Sequence, residues 1–355
     1  MIRIYHELPG GYSHILVDLM REGCEGWDVE LVTQDNDSGQ LSLTIGEDNP
    51  EFDGICTMRS EIVVMRDDQE LWRGRATKQQ LQKHWQKKLV CKGVLDYLYD
   101  GVLMPQVLEG SAESVLQTMI DQFNARNIAI NKLFSPGTVS GIGQIVYEIK
   151  KPTKAFKVFS DLIKEFGGSL FARRDGDGNV IDWLGEDRLC RSVCSQKAVY
   201  GQNVSKLDIS LAGDEIATVL YGFGKNDLTF AEINGGNAFV CNEEAIEQFG
   251  WIEDCVTFSD VTDAQTLMER TQAELDKRLQ QVRSIEAKIL DLSFIDPTAE
   301  PFTAGHFAHL RSSVHDIDEI MPVKKITCPL FAPSKTQVIL GASLASASTI
   351  LRRNL

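Results

Sequence analysis

Between Trp27 and Ala76 apolar residues recur at every second position. Trp27, Val29 and Leu31 alternate with Asp28 and Glu30; after an Asp/Asn/Ser/Gly-rich turn at Asp35–Gly39, Leu41, Leu43 and Ile45 alternate with Ser42 and Thr44. A period of two places one apolar face inward and one polar face outward, which suits half-buried strands and not helices. A polar loop with a proline follows at 47–50, and then a second hairpin: Glu61–Met65, a turn over Asp67–Gln69, and Leu71–Ala76. The segment reads as a β-meander, a scaffold with no chemistry in it.

The pattern changes along the chain. Residues 1 to about 105 are β-rich and close with Leu89–Leu98 before Pro105. Val115, Leu116, Met119, Ile120 and Phe123 then fall at helical spacing behind a candidate N-cap at Ser111. Residues 132–145 are Gly/Ser/Pro-rich and read as a loop. A second helix is predicted from Thr153, with Ala155, Val158, Phe159, Leu162, Ile163 and Phe166 as its apolar stripe and Gly167-Gly168 as its stop. A hairpin comes next: Ser169–Arg174, a turn at 175–178, and Asn179–Leu184. Strands are expected at Ser205–Leu211 and Ile216–Gly222, and a short helix at Asn242–Phe249 capped by Asn242 and stopped by Gly250. A longer helix begins near 260, with Leu267, Met268, Leu275 and Leu279 inward and a Glu274–Arg278 pair outside. Ile285, Ala287 and Ile289 alternate again, and Pro322–Cys328 and Thr336–Leu340 finish the strands.

At 355 residues the chain exceeds one ordinary core, so two to four domains are expected. With 51 acidic against 36 basic residues its formal charge is −15. Nucleic-acid binders neutralise phosphate with a basic patch. The densest basic stretch here, Lys83–Lys92, is brief. Such a surface suits a conduit for DNA better than a binder. The N-terminus lacks the charged and apolar regions of a signal peptide, and no window approaches a membrane span. The eight cysteines are expected as reduced, mostly buried thiols.

Each candidate chemical motif has a plainer explanation. Asp175–Glu186 places acids at positions 1, 3 and 12 of a calcium loop, but Val180 stands where the bend needs glycine and the flanks are strands. His306 and His309 should point to opposite faces of a strand, which leaves His315, Asp316 and Asp318 without a converging set. Cys190 and Cys194 lack the second pair that zinc requires. Gly222-Phe223-Gly224 has Asp227 where a phosphate-binding loop wants a third glycine. Ser140, in GTVSGIG, is not in a nucleophile elbow. The sequence therefore assigns no catalytic, cofactor-binding or metal-binding residue, and no cofactor.

Several phrases carry a family resemblance. LSLTIGEDNPEFDGI (41–55), EIVVMRDDQELWRGRA (61–76), FGWIE (249–253), DVTDAQTLMER (260–270) and SSVHDIDEIMPVKKI (312–326) resemble, in order, the phage tail-tip hub and tail-associated proteins, often labelled prophage tail endopeptidase. The resemblance covers about residues 24–342. It implies a β-rich α+β fold: two β-barrel-like tube modules, each with an inserted α/β subdomain. The first module would span 1–105, completed by about 200–215, around an insertion at 106–199. The second would span 216–342 with a helical insertion at about 225–282, leaving 343–355 as a tail. It further implies a homotrimeric virion hub, assembled in the bacterial host cytoplasm, with a tube protein above, a spike or fibre below, and DNA passing through. Peptidase activity belongs, in this resemblance, to longer members with extra C-terminal domains. A tail-tip cell-wall hydrolase (endopeptidase or lysozyme) and a host-glycan adhesin are the alternatives.

Overall fold

The computed structural model describes residues 1–8, 13–83, 85–126, 130–176, 178–186, 190–211, 216–281, 283–296 and 298–341. The chain forms two compact units. Unit 1 comprises Met1–Cys194, Leu290–Phe307 and Val323–Val338; unit 2 comprises Ser195–Ile289, Ala308–Pro322 and Ile339–Leu355. Strands predominate in the fold. Among the described residues no helix is long and apolar enough to cross a membrane.

Unit 1 opens with β1 (Ile2–Glu7), β2 (Ser13–Val17), β3 (Gly26–Gln34), β4 (Gln40–Gly46), β5 (Glu61–Arg66), β6 (Gln69–Gln82) and β7 (Gln86–Gly93). These pair antiparallel in the order β3-β4-β7-β6-β5-β1-β2. The alternation read from the sequence is what buries Leu41, Leu43 and Ile45 on one face. Trp27 departs from it. Asp28 adopts φ 51°, the register with β4 slips between Trp27 and Glu30, and Trp27 is left 46% exposed beside Gly46. One extra residue in a strand exchanges the faces of everything before it, so the expected inward Trp27 lies outside while Val29 and Leu31 stay in. The strand expected over Leu89–Leu98 ends at Gly93, and a 3-10 helix takes Val94–Tyr99.

A second core in unit 1 uses β8 (Val102–Leu103), β9 (Gln106–Ser111), α1 (Ala112–Asn124), β10 (Phe134–Ser140), β11 (Gln144–Ile149), β12 (Thr153–Lys154), α2 (Ala155–Phe166), β13 (Ser169–Asp175) and β14 (Gly178–Leu184). Ser111 caps α1 by accepting from the Ser114 amide at 3.3 Å. Phe123, Phe134, Phe159, Leu162 and Trp183 are buried together, with Phe156, Ile163 and Phe166 packed around them. Residues 132–145 are not the loop that their composition suggests. β10 runs parallel to β14 and β11 antiparallel to β9. Gly137 permits this pairing: a Cβ there would sit 2.0 Å from Asp182 Oδ1, the acceptor for the Thr138 amide at 2.7 Å. Tertiary pairing has overridden local propensity. β13 and β14 form the expected hairpin, with strands where a calcium loop would have helices.

Unit 2 contains most of β15 (Val193–Val199), then β16 (Val204–Leu211), β17 (Val219–Phe223), β18 (Phe239–Cys241), α3 (Glu243–Phe249), β19 (Glu253–Thr257), α4 (Ala264–Gln281) and β20 (Arg283–Ile289). β16 pairs antiparallel with β20, and β15 with β21 (Phe307–Ser312). β17 lies between an antiparallel β18 and a parallel β19. Leu220, Val240, Leu267, Leu275 and Leu279 form the core under α4. Asn242 caps α3, accepting from the Ala245 amide at 2.9 Å, and Gly250 stops it at φ 85°. β22 (Ile317–Pro329) begins in unit 2 and ends in unit 1, where Lys325–Pro329 pair antiparallel with β3; β23 (Gln337–Leu340) follows.

Candidate functional site

Strand alternation places His6 on the same buried face as Ile4, and the fold brings two distant partners to its ring. His6 Nδ1 lies 2.6 Å from Glu51 Oε2, and His6 Nε2 lies 2.7 Å from Ser60 Oγ. His14 Nδ1 approaches the other Glu51 oxygen at 3.0 Å. A serine, an imidazole and a carboxylate in this order is the arrangement of a hydrolytic triad. Burial decides its use here. Ser60 is 0% and His6 3% exposed, and the Ser60 hydroxyl already accepts from the Cys56 amide at 2.8 Å. No substrate carbonyl can reach that oxygen in this conformation, so the group ties β1, β2 and the 51–60 loop together. The sequence did not signal it, because the three residues are up to 54 positions apart.

A cavity of about 590 Å³ in unit 1 is walled by residues of β3, β5, β6 and β13 and by Asp291, Ser293, Phe294 and Pro301–Ala304, with Leu31, Trp72, Phe171, Arg66 and Arg73 in its lining. Its size falls in the range of small-molecule sites, yet its charged groups engage one another. Arg73 binds Glu7 at 2.7 Å, Glu61 at 2.9 Å and Glu70 at 2.9 Å. Glu61 also accepts from the Tyr97 hydroxyl at 2.6 Å; burial and then this carboxylate push the phenol's pKa up. Arg66 donates to the carbonyl and hydroxyl of Ser293 at 3.1 and 3.0 Å and lies over Phe294. Asp291 fixes the same segment by accepting from the Ser293 and Phe302 amides at 2.9 and 3.1 Å. Cys328, also in the wall, accepts from Thr336 Oγ1 at 3.3 Å, and burial raises its pKa. A thiol held protonated is a poor nucleophile.

The residues singled out in the sequence go to separate places. His306 precedes β21 and packs edge-on to Phe171 at 4.7 Å; His309 bonds Asp318; His315 bonds Ser312 Oγ at 2.7 Å. No group of three potential ligands converges among the described residues. Cys194 Sγ lies 3.5 Å from the Glu300 carbonyl, and no two cysteines are bonded. Cys24, Cys91, Cys194 and Cys328 are buried as expected, but Cys56, Cys241 and Cys255 are exposed. Gly224 follows β17 in a turn, its amide bonding the Leu228 carbonyl at 2.8 Å. Ser140 ends β10.

Known structures place this arrangement in context. The tail protein from Neisseria meningitidis MC58 is similar over 98% of each chain, with a TM-score of 0.66 at 12% identity. This chain has the fold of phage tail proteins. Prophage tail protein gp18 from Listeria monocytogenes EGD-e matches with a TM-score of 0.61 at 13% identity, covering 99% of this chain and 98% of that one. The 43 kDa tail protein of prophage MuSo2 from Shewanella oneidensis gives 0.62 at 13% identity, covering 96% and 98%. Residues 195–351 match the family model described as prophage endopeptidase tail. No curated protein matches the sequence. The resemblance to the phage tail-tip family read from the sequence therefore stands.

Proposed function

We propose that this chain is the structural hub at the distal end of a phage tail tube, acting as a homotrimer that joins the tube to a spike or fibre and lets DNA pass. The observation that carries the proposal is the agreement in fold over 98% of both this chain and a tail protein. In this reading residues 1–105, completed near 200–215, form one β-barrel-like module around the 106–199 insertion. Residues 216–342 form the second, with its helical insertion at about 225–282. The sheet order supports assembly, since among the described residues β2 has a strand neighbour on one side only. An open edge calls for a cover, and a closed rotational oligomer supplies one. The charge of −15 supports passage, because a wall of that sign does not retain phosphate. The hub works without catalysis and without a cofactor.

The deciding experiment is a light-scattering mass for the purified chain, alone and with its tail partners. A mass of three times 39.6 kDa is expected, and a stable dimer or tetramer overturns the trimer. The rival reading, a cell-wall hydrolase, draws on the Ser60–His6–Glu51 geometry, and the burial of Ser60 opposes it. Clearing of purified cell walls by this chain, lost in Ser60→Ala, would favour the hydrolase.

A further inference from the structure

Among the described residues of unit 2, α4 packs against one face of the β18-β17-β19 sheet, and on the other Val219 is buried while the rim at Trp251 is exposed. Leu220, Val240 and Val256 point into the core beneath α4, so the alternation sends Tyr221, Phe239 and Cys255 to the other side. There the Tyr221 and Phe239 rings lie 5.3 Å apart, and Phe239 meets Trp251 edge-to-face at 5.7 Å. Trp251 is 55% exposed. Glu253 sits among these rings, one carboxylate oxygen accepting from the Tyr221 hydroxyl at 3.1 Å and the Trp251 indole at 2.9 Å. Both donors are neutral, so these bonds leave the charge of Glu253 uncompensated.

The chain segment that carries this face is acidic. From Asn226 to Glu269 there are ten Asp and Glu residues and no Lys, Arg or His. The nearest cations in sequence that reach back, Arg270 and Arg278, bind Asp260 and Asp254. Aromatic faces attract cations, the more so when desolvated, and a carboxylate beside them adds a charge-assisted hydrogen bond. A purely apolar partner would bury Glu253 without a counter-charge, which is costly. Duplex DNA would be repelled.

We propose that this face docks a basic segment of a partner protein, with an arginine or lysine side chain held against the Trp251 ring by Glu253. The site stands on unit 2 alone and does not depend on the hub reading.

The test titrates the full chain into fluorescently labelled hexa-arginine and follows anisotropy, with hexaglutamine as control. Hexa-arginine binds and hexaglutamine does not. Trp251→Ala weakens binding about five- to tenfold, and Glu253→Gln does so by a similar factor of about ten. Trp85→Ala, removing the exposed indole of unit 1, leaves it unchanged. Because Trp251→Ala keeps every charge, general attraction to an acidic chain cannot produce its loss. Trp251 is largely exposed, and circular dichroism confirms that the variant is folded. Equal affinities for wild type and Trp251→Ala overturn the proposal. So does concentration-dependent self-association abolished by Trp251→Ala, which would make the face a contact between copies. Binding of N-acetylglucosamine oligomers in place of hexa-arginine would also overturn it.

Discussion

Gly222 of β17 and Thr271 of α4 pack so closely that a Cβ on Gly222 would lie 2.1 Å from the Thr271 hydroxyl. That hydroxyl donates to the Leu267 carbonyl at 2.7 Å, and the Phe230 ring stands 2.8 Å from the same point, so neither neighbour has an easy retreat. Gly222→Ala should therefore overpack unit 2 and cost about 1–3 kcal/mol. Scanning calorimetry should show the loss, and a second change, Thr271→Ala, should restore part of it.

Arg75 is 1% exposed and binds Asp96 at 2.7 Å and Asp100 at 2.6 Å, with the Tyr97 ring beneath it. Lys132 reaches Asp100 at 2.7 Å. Removing one member of a buried ion cluster strands the others. Arg75→Met should cost about 3 kcal/mol, the low end for such a break because both carboxylates touch solvent. Adding Asp96→Asn and Asp100→Asn should recover stability, read as a shift in urea midpoint.

Phe159 of α2 is 2% exposed in the core shared with Leu162 and Trp183. Phe159→Ala should destabilise this region by about 3–5 kcal/mol. An unchanged melting profile would contradict its place in that core.

His306 gives a pH dependence with a definite sign. Burial first, then the charge of Arg191, lowers its pKa from 6.5, while the Ser192 backbone, Glu300 and Asp35 oppose the shift. The folded protein thus binds this proton less readily than the unfolded chain. Its contribution is complete above 6.5 and is lost as pH falls through the lower folded value. His306→Phe should lose less melting temperature than wild type between about pH 7 and pH 5, measured side by side.

What the sequence made legible were features set within a few residues. The alternation of Leu41, Leu43 and Ile45, the caps at Ser111 and Asn242, and the Glu274–Arg278 pair at 3.2 Å all appear as expected. Features that depend on distant partners stayed hidden. β10 looked like a loop because its strand character comes from β14 and from the closeness that Gly137 allows. Trp27 looked buried because nothing in the sequence marks Asp28 as the bulged position. Ser60 meets His6 through folding alone. The aromatic face in unit 2 needed the side of the sheet opposite α4, although the absence of bases from 226 to 269 was visible throughout.

The pairing of β22 with β3 has a consequence in time. The Asp35 amide bonds the Lys324 carbonyl at 2.9 Å, and the Lys324 ammonium returns to Asp35 at 3.1 Å across a sequence separation of 289. At translation rates of about 5–20 residues per second, the edge of β3 waits roughly 15–60 s for its neighbour to leave the ribosome. During that interval an already folded β3-β4 hairpin presents an unsatisfied strand edge to every nascent copy on the same polysome. Shielding that edge until the last strands arrive is therefore expected to raise the yield of folded protein.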